Sequence, residues 1–195
     1  MKNQFGKSFG GSMANSAENQ IAENQDVKAF GNAFGGPGRG QGQAAQPLSL
    51  SPAETDSLLF MIEEEKLAGD LYQVFYEQTG LAIFGRIAQA EDRHYDALIR
   101  QAERADLDLT GLNALGEGEF VNADLQLLYN QMLAEGSVST DAALAVGQAI
   151  EQADIADLQG SLVNGLESTA LIGVFERLLA GSENHLAAFD AWLLA

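Results

Sequence analysis

Four long segments of this chain repeat apolar residues at helical spacing, and each interrupts its apolar stripe with a carboxylate or an imidazole. The first stripe reads Leu58, Ile62, Glu65, Ala68, Tyr72, Phe75, and the second Phe84, Ile87, Glu91, His94, Leu98. A later segment gives Leu144, Gly147, Glu151, Asp154, Leu158, and the last gives Leu171, Phe175, Leu178, Ser182, His185, Phe189. Steps of three and four residues keep each set on one side of a helix. An ionised group on a buried helix face is costly unless it is paired or bound to a metal. Four helices that each carry such a group on the core face have reason to bring those faces together.

The helix boundaries are marked by local signals. Ser51-Pro52-Ala53-Glu54 combines a capping residue, proline at the first helical position and the glutamate of a capping box. The pattern that follows runs to about Thr79, and Gly80 can end it. A second helix is predicted over roughly 83–105. A shorter one covers about 123–135, with Asn122 as cap and Gly136 as stop. Another starts near Ser139 and reaches about Leu158, and the last runs from about Ser168 to the C-terminus. No alternating run of β-branched residues competes. The fold class is therefore all-α. Two helical hairpins, separated by a long connection at 106–138 that holds the short helix, make a four-helix bundle with one long crossover. That is the ferritin-like arrangement.

Residues 1–48 differ from the rest. They hold nine of the 21 glycines, many Gln, Asn and Ser, and the tetrapeptide AENQ twice. Such a composition buries too little apolar surface to fold, so a disordered tail at 1–48 is expected before a bundle domain at 49–195. Its four Phe-Gly pairs, at Phe5, Phe9, Phe30 and Phe34, make it a candidate sticky segment. The formal net charge is −18. Four basic and three acidic residues fall in 1–48, which leaves six basic and 25 acidic residues beyond it, a net of −19. A field of that sign repels phosphate backbones, so nucleic-acid binding is not expected. The chain has no cysteine, which removes disulfides, thiolate metal sites and cysteine nucleophiles. No apolar run is long enough to span a membrane, and no apolar stretch after Met1 reads as a secretory signal, so a cytoplasmic location is expected.

The chemistry points to metal. There are only two histidines, and both lie on the apolar stripes. Glu91-x-x-His94 sets a carboxylate and an imidazole one turn apart on the same side, and Glu151 and Asp154 share that spacing. Carboxylate and imidazole together suit iron, manganese or zinc. Antiparallel helices joined near residue 168 bring Glu151 level with His185, and Asp154 level with Ser182. The first hairpin is less tidy: a turn at Gly80 brings Glu91 level with about residue 70. Aligning Glu65 with Glu91 would take an extended descent over Leu81–Phe84 of roughly 7 Å. Glu64 rivals Glu65, because Phe60, Leu67 and Leu71 lie on its side, whereas Glu63, beside Lys66 and Asp70, is expected at the surface. One other stretch, Asp106-Leu-Asp108-Leu-Thr110-Gly111 with Glu117, has the spacing of an EF-hand calcium loop. Asn113 replaces its usual apolar residue, and a polar crossover loop explains it adequately.

EKLAGDLY at 65–72 resembles the rubrerythrin first-helix pattern E-x-x-A-R-x-x-Y, and IFGRIAQAEDRH at 83–94 resembles the second-helix pattern I-F-x-x-I-A-x-x-E-x-x-H. Three segments, EEEKLAGDLY, AIEQADIADL at 149–158 and GSENHLAAF at 181–189, more closely resemble a bacterial and archaeal family called domain of unknown function 2202. The resemblance spans about 53–194 and implies a di-iron carboxylate bundle. Position by position, it assigns metal ligation to Glu65, Glu91, His94, Glu151 and His185. Gly69 stands where the rubrerythrin pattern has arginine, and Ser182 where rubrerythrin and ferritin carry a ligating glutamate. Asp154 is then the candidate for the missing carboxylate. No CxxC pair is present, so the rubredoxin electron-transfer module of full rubrerythrins is absent from this sequence.

The resemblance implies two irons per chain, with manganese or zinc as alternatives. The expected activity is that of an oxidoreductase of peroxidase or ferroxidase type, with O2, peroxide or ferrous iron as substrate and an electron donor still to be identified. Tyr72 and Tyr95 are candidate hydrogen-bond donors beside the metals, and Ser182 belongs to the same surroundings. Ferritin-like bundles often dimerise, which makes a homodimer one expectation. The competing reading is a non-catalytic helical module whose acidic surface and sticky tail bind a partner.

Overall fold

The computed structural model describes residues 46–194. They form six helices and, among the described residues, no strand: α1 (Pro52–Thr79), α2 (Ala82–Arg104), α3 (Thr110–Asn113), α4 (Ala123–Gly136), α5 (Thr140–Val163) and α6 (Thr169–Leu193). The expected tail, with Phe5, Phe9, Phe30 and Phe34, lies outside the described residues up to position 45. No helix among those described is long and apolar enough to cross a membrane.

The caps form as their residue types dictate. Ser51 Oγ accepts from Glu54 N at 3.2 Å, and Glu54 Oε2 accepts from Ser51 N at 2.9 Å, which closes the capping box of α1. Gly80 ends α1 in the left-handed region at φ 70°, where its N–H donates to Tyr76 O. Gly80 and Leu81 make the turn, and α2 begins at Ala82, so the expected extended descent over Leu81–Phe84 is absent. Asn122 caps α4, Ser139 caps α5 and Ser168 caps α6.

Two expected helix ends need correcting. Helix α5 runs to Val163 rather than Leu158. Gly160 sits in helical conformation with open space around it, and one glycine in a helix costs only about 1 kcal/mol. The chain reverses at Gly165 instead, at φ 99°. Gly136 does not stop α4 but belongs to it. A Cβ there would lie 2.2 Å from the Phe75 ring, so this glycine permits close approach of α4 to α1.

Helices α1 and α2 form one hairpin, and α5 and α6 the other. Helix α2 packs on α6, and α1 on α5, while α4 lies against both α1 and α5. The apolar interior falls into two clusters. One holds Leu71, Phe75, Phe84, Ile87, Leu144, Ile150 and Phe189. The other holds Leu58, Ile62, Leu98, Leu158, Leu171 and Phe175. On every long helix the carboxylates and imidazoles of the stripe fall in sequence between a residue of one cluster and a residue of the other. The polar groups therefore form a layer that divides the core.

Candidate metal centre

Glu91 occupies the middle of that layer. Its Oε2 stands 2.8 Å from His94 Nδ1, and its Oε1 stands 2.7 Å from His185 Nδ1. Glu65 Oε2 approaches His94 Nδ1 at 3.3 Å, and Glu151 Oε2 approaches His185 Nδ1 at 3.6 Å. Donor atoms of Glu65, Glu91 and His94 lie within 4.8 Å of one another, and so do those of Glu91, Glu151 and His185. Two three-residue groups thus share one carboxylate. The imidazole rings stack with centroids 5.5 Å apart.

The chemistry of these donors fits a bound cation. Nitrogen and oxygen ligands about 2.0–2.2 Å from a shared ion stand roughly 3 Å from each other. The close approaches here span 2.7–3.6 Å. Glu65 Oε1, Glu91 Oε1, His94 Nδ1, Asp154 Oδ1 and His185 Nδ1 are all buried, yet none makes an aligned hydrogen bond. Glu64 Oε2, next along α1, is the sixth such atom among the described residues. Buried polar groups are normally satisfied. Here the exceptions gather at one place, aimed past each other rather than at each other.

The charges follow the same geometry. Burial pushes the Glu65 carboxyl well above the ordinary range, helped by the negative neighbours Asp154 and Glu91. Burial likewise raises Glu151 to about 8 and Asp154 to about 7, against the pull of His185 on the first and Ser182 on the second. Glu91 moves the other way: burial opposes its charge, but the imidazoles of His185 and His94 prevail and lower it to about 2. Burial also opposes a charged His185, yet Glu151 and Glu91 raise it to about 10. Protons held on Glu65 and Glu151 are what a cation would displace.

The surroundings hold these side chains in place. The Tyr72 hydroxyl donates to Glu151 Oε1 at 2.7 Å and reaches Gly147 O at 3.3 Å, leaving Glu151 Oε2 toward His185. Burial and the neighbouring Glu151 raise the Tyr72 hydroxyl well above its usual value, which keeps it a donor. Phe84 and Phe189 flank its ring at 6.2 and 5.4 Å between centroids. Two glycines give way to larger neighbours. A Cβ on Gly147 would lie 2.5 Å from the Phe189 ring, and one on Gly181 would lie 2.6 Å from His94 Cε1 and Nε2. Neither glycine was singled out as part of the site by sequence; only helix packing reveals their role.

The hairpin offset resolves without an extended segment. Gly69, not Glu65, lies beside Glu91, where a Cβ would stand 3.5 Å from Glu91 Cβ. Glu65 stands one turn away and meets His94 instead. Asp154 is buried and abuts Ser182, whose hydroxyl donates to Leu178 O, but Asp154 belongs to neither three-residue group. Tyr95 is half-buried against the second apolar cluster, with Asp96, Asp70 and Glu63 as its charged neighbours rather than the layer. Glu63 is not at the surface. It is buried, and its Oε2 accepts from Val121 N at 2.6 Å and Asn122 N at 3.0 Å, ahead of α4. Its apparent partners Lys66 and Asp70 instead pair with each other and bind the crossover through Gly116 O and Gly118 N. In the stretch with calcium-loop spacing, Asp108 Oδ1 accepts from Thr110 N and Oγ1 at the start of α3.

Comparison with known proteins places these residues in a family. The sequence matches the family described as "Uncharacterized protein domain (DUF2202)" over residues 54–193. The uncharacterized protein MJ0754 of Methanocaldococcus jannaschii is 37% identical over 140 residues, covering 72% of this chain and 75% of the relative. The crystal structure of hypothetical protein MJ0754 from Methanococcus jannaschii DSM 2661 matches with a TM-score of 0.69 at 33% identity. That match covers 77% of this chain and 85% of the other. The matched span takes in the four long helices, but for the first two residues of α1, and every residue of the polar layer, and the chain belongs to the DUF2202 family.

Proposed function

We propose that this chain is a ferritin-like, carboxylate-bridged dinuclear metal protein, and specifically a di-iron oxidoreductase acting on peroxide, O2 or ferrous iron. The supporting observation is the position of Glu91, which offers one oxygen to each of two imidazole nitrogens at 2.7 and 2.8 Å. A carboxylate shared in this way by two donor groups has the form of a bridge. The two hairpins joined by a long crossover that carries α4 agree with the ferritin-like plan. The mixed imidazole and carboxylate donors suit iron, with manganese and zinc as chemical competitors.

Bound iron supplies electron transfer toward O2 or peroxide, with electrons from an external donor. The chain's own residues do the rest. Glu65 and His94 define one position, Glu151 and His185 the other, and Glu91 belongs to both. Tyr72 fixes the orientation of Glu151, and holding a ligand still is what such outer hydrogen bonds contribute to a metal site. The two apolar clusters on either side of the layer keep water out along the bundle.

The test is metal content after anaerobic reconstitution with ferrous iron, compared between wild type and His185→Ala. About two irons per chain, with loss in the variant, is the expected result. Wild type without bound metal, or ferrous protein that neither turns over peroxide nor oxidises added ferrous iron, overturns the proposal.

A further inference from the structure

We propose that Asp157, Glu64 and Asp154 form a carboxylate ladder that takes divalent cations from solvent and hands them to the metal centre; the proposal rests on the dinuclear reading above. Helix α5 carries Glu151, Asp154 and Asp157 at three-residue spacing, so each follows the last by about 4.5 Å along the helix and roughly 60° around it, from the core face toward solvent. Exposure changes in order along that line. Glu151 is 2% exposed, Asp154 is 9% exposed, and Asp157 is open to solvent.

Helix α1 supplies the remaining rung. Glu64 is half-buried, within hydrogen-bonding reach of Asp157, and has Asp154 as its other close charged neighbour. Asp154 is in turn the principal charged neighbour of Glu65. Acidic groups therefore neighbour one another from the surface inward to Glu65. Two atoms on this path lack what such atoms need: Asp154 Oδ1 and Glu64 Oε2 are buried and accept no hydrogen bond. Among the described residues, no lysine or arginine lies within ion-pair distance of Glu64, Asp154 or Asp157. Carboxylates crowded in this way out of water are costly without a cation.

The ladder also has a direction. Its donors are all oxygens, whereas each three-residue group beyond it includes an imidazole. Ferrous or cobaltous ion is held less tightly by the first kind of set than by the second, so an ion admitted at Asp157 moves inward. None of these three residues belongs to either ligand group, which separates transfer from final binding.

Cobalt(II), read by its visible absorbance in stopped flow, is the probe, with the full chain throughout. Asp157→Asn, Glu64→Gln and the double variant are compared with Asp141→Asn, which removes one exposed charge near the start of α5, away from the ladder. The double variant is expected to load about tenfold more slowly than wild type, as expected when an acidic path that concentrates cations is lost. Asp141→Asn should load at the wild-type rate, and all should reach the same cobalt content. Equal rates in wild type and the ladder variants overturn the ladder and leave the dinuclear reading standing. So does a rate loss as large in Asp141→Asn. Lower final cobalt in the double variant makes its residues permanent ligands and also overturns the transfer role. Wild type that takes up no cobalt sinks the dinuclear reading and the ladder together. Asp157 is exposed, so its single variant keeps the test open even if Glu64→Gln fails to fold.

Discussion

Glu63, Glu64 and Glu65 are chemically identical neighbours with three different surroundings, because each residue of a helix turns about 100° from the last. Glu63 holds the crossover, Glu64 faces α5, and Glu65 meets His94. Glu54 shows how much one carboxylate can do on the correct side. One oxygen closes the capping box of α1, and the other accepts from Glu167 N and Ser168 N at the start of α6. Those backbone donors hold its carboxyl below the ordinary value of 4.5. A depressed folded-state value contributes stability that is present above 4.5 and lost as pH falls through the folded-state value. Glu54→Gln should therefore lower stability by about 1–3 kcal/mol at neutral pH, and thermal melts of the variant should respond less to acid than those of wild type. Glycine gives a paired prediction. Gly181→Ala drives a methyl group into the His94 imidazole and should lower bound metal without replacing any of the proposed ligands. Gly160→Ala meets nothing and should raise stability by roughly 0.5–1 kcal/mol in denaturant titration.

At the scale of helices, most of the architecture was legible because its signals are local. The capping box at Ser51, the left-handed stop at Gly80 and the caps at Asn122, Ser139 and Ser168 all depend on residues within one turn. The pairing of Glu151 with His185 was legible as well, since two straight helices joined by a short turn mirror each other. What could not be read depends on contacts between distant segments. Gly136 looks like a stop until Phe75 is seen against it, and Glu63 looks exposed until Val121 and Asn122 are seen above it. The one-turn helix α3 has too few residues to show a period. At the centre, sequence left Glu64 and Glu65 as rivals because both stripes are apolar; the structure separates them by which helix each faces. Glu63 also sets a prediction for the crossover. Glu63→Ala removes the acceptor for two backbone N–H groups, which costs about 1–3 kcal/mol and should loosen the start of α4. Limited proteolysis within 105–122 should quicken, while bound metal per chain stays at the wild-type level.

Across the whole molecule, the central layer ties stability to pH and, on the dinuclear reading proposed above, to metal. Glu151 is raised from 4.5 to about 8, so ionising it in the folded state opposes folding increasingly as pH climbs through that window. His185 is raised from 6.5 to about 10, and the stability it contributes below 6.5 is lost as pH rises toward 10. The two effects have the same sign. Metal-free protein should therefore melt at progressively lower temperature between about pH 5 and pH 9. Metal should raise the melting temperature, most of all at the alkaline end, because it replaces the protons that the layer otherwise needs. The divided core has a mechanical consequence as well. Two oily halves are joined by continuous helices, but between them lies a seam of buried carboxylates and imidazoles, several of whose atoms make no aligned hydrogen bond. A rod hinged on such a seam opens at its middle before its ends. In metal-free protein, amide hydrogens around Glu91 and Glu151 should exchange faster than those near Phe75 and Phe175, reversing the usual rule that helix centres are the slowest to exchange.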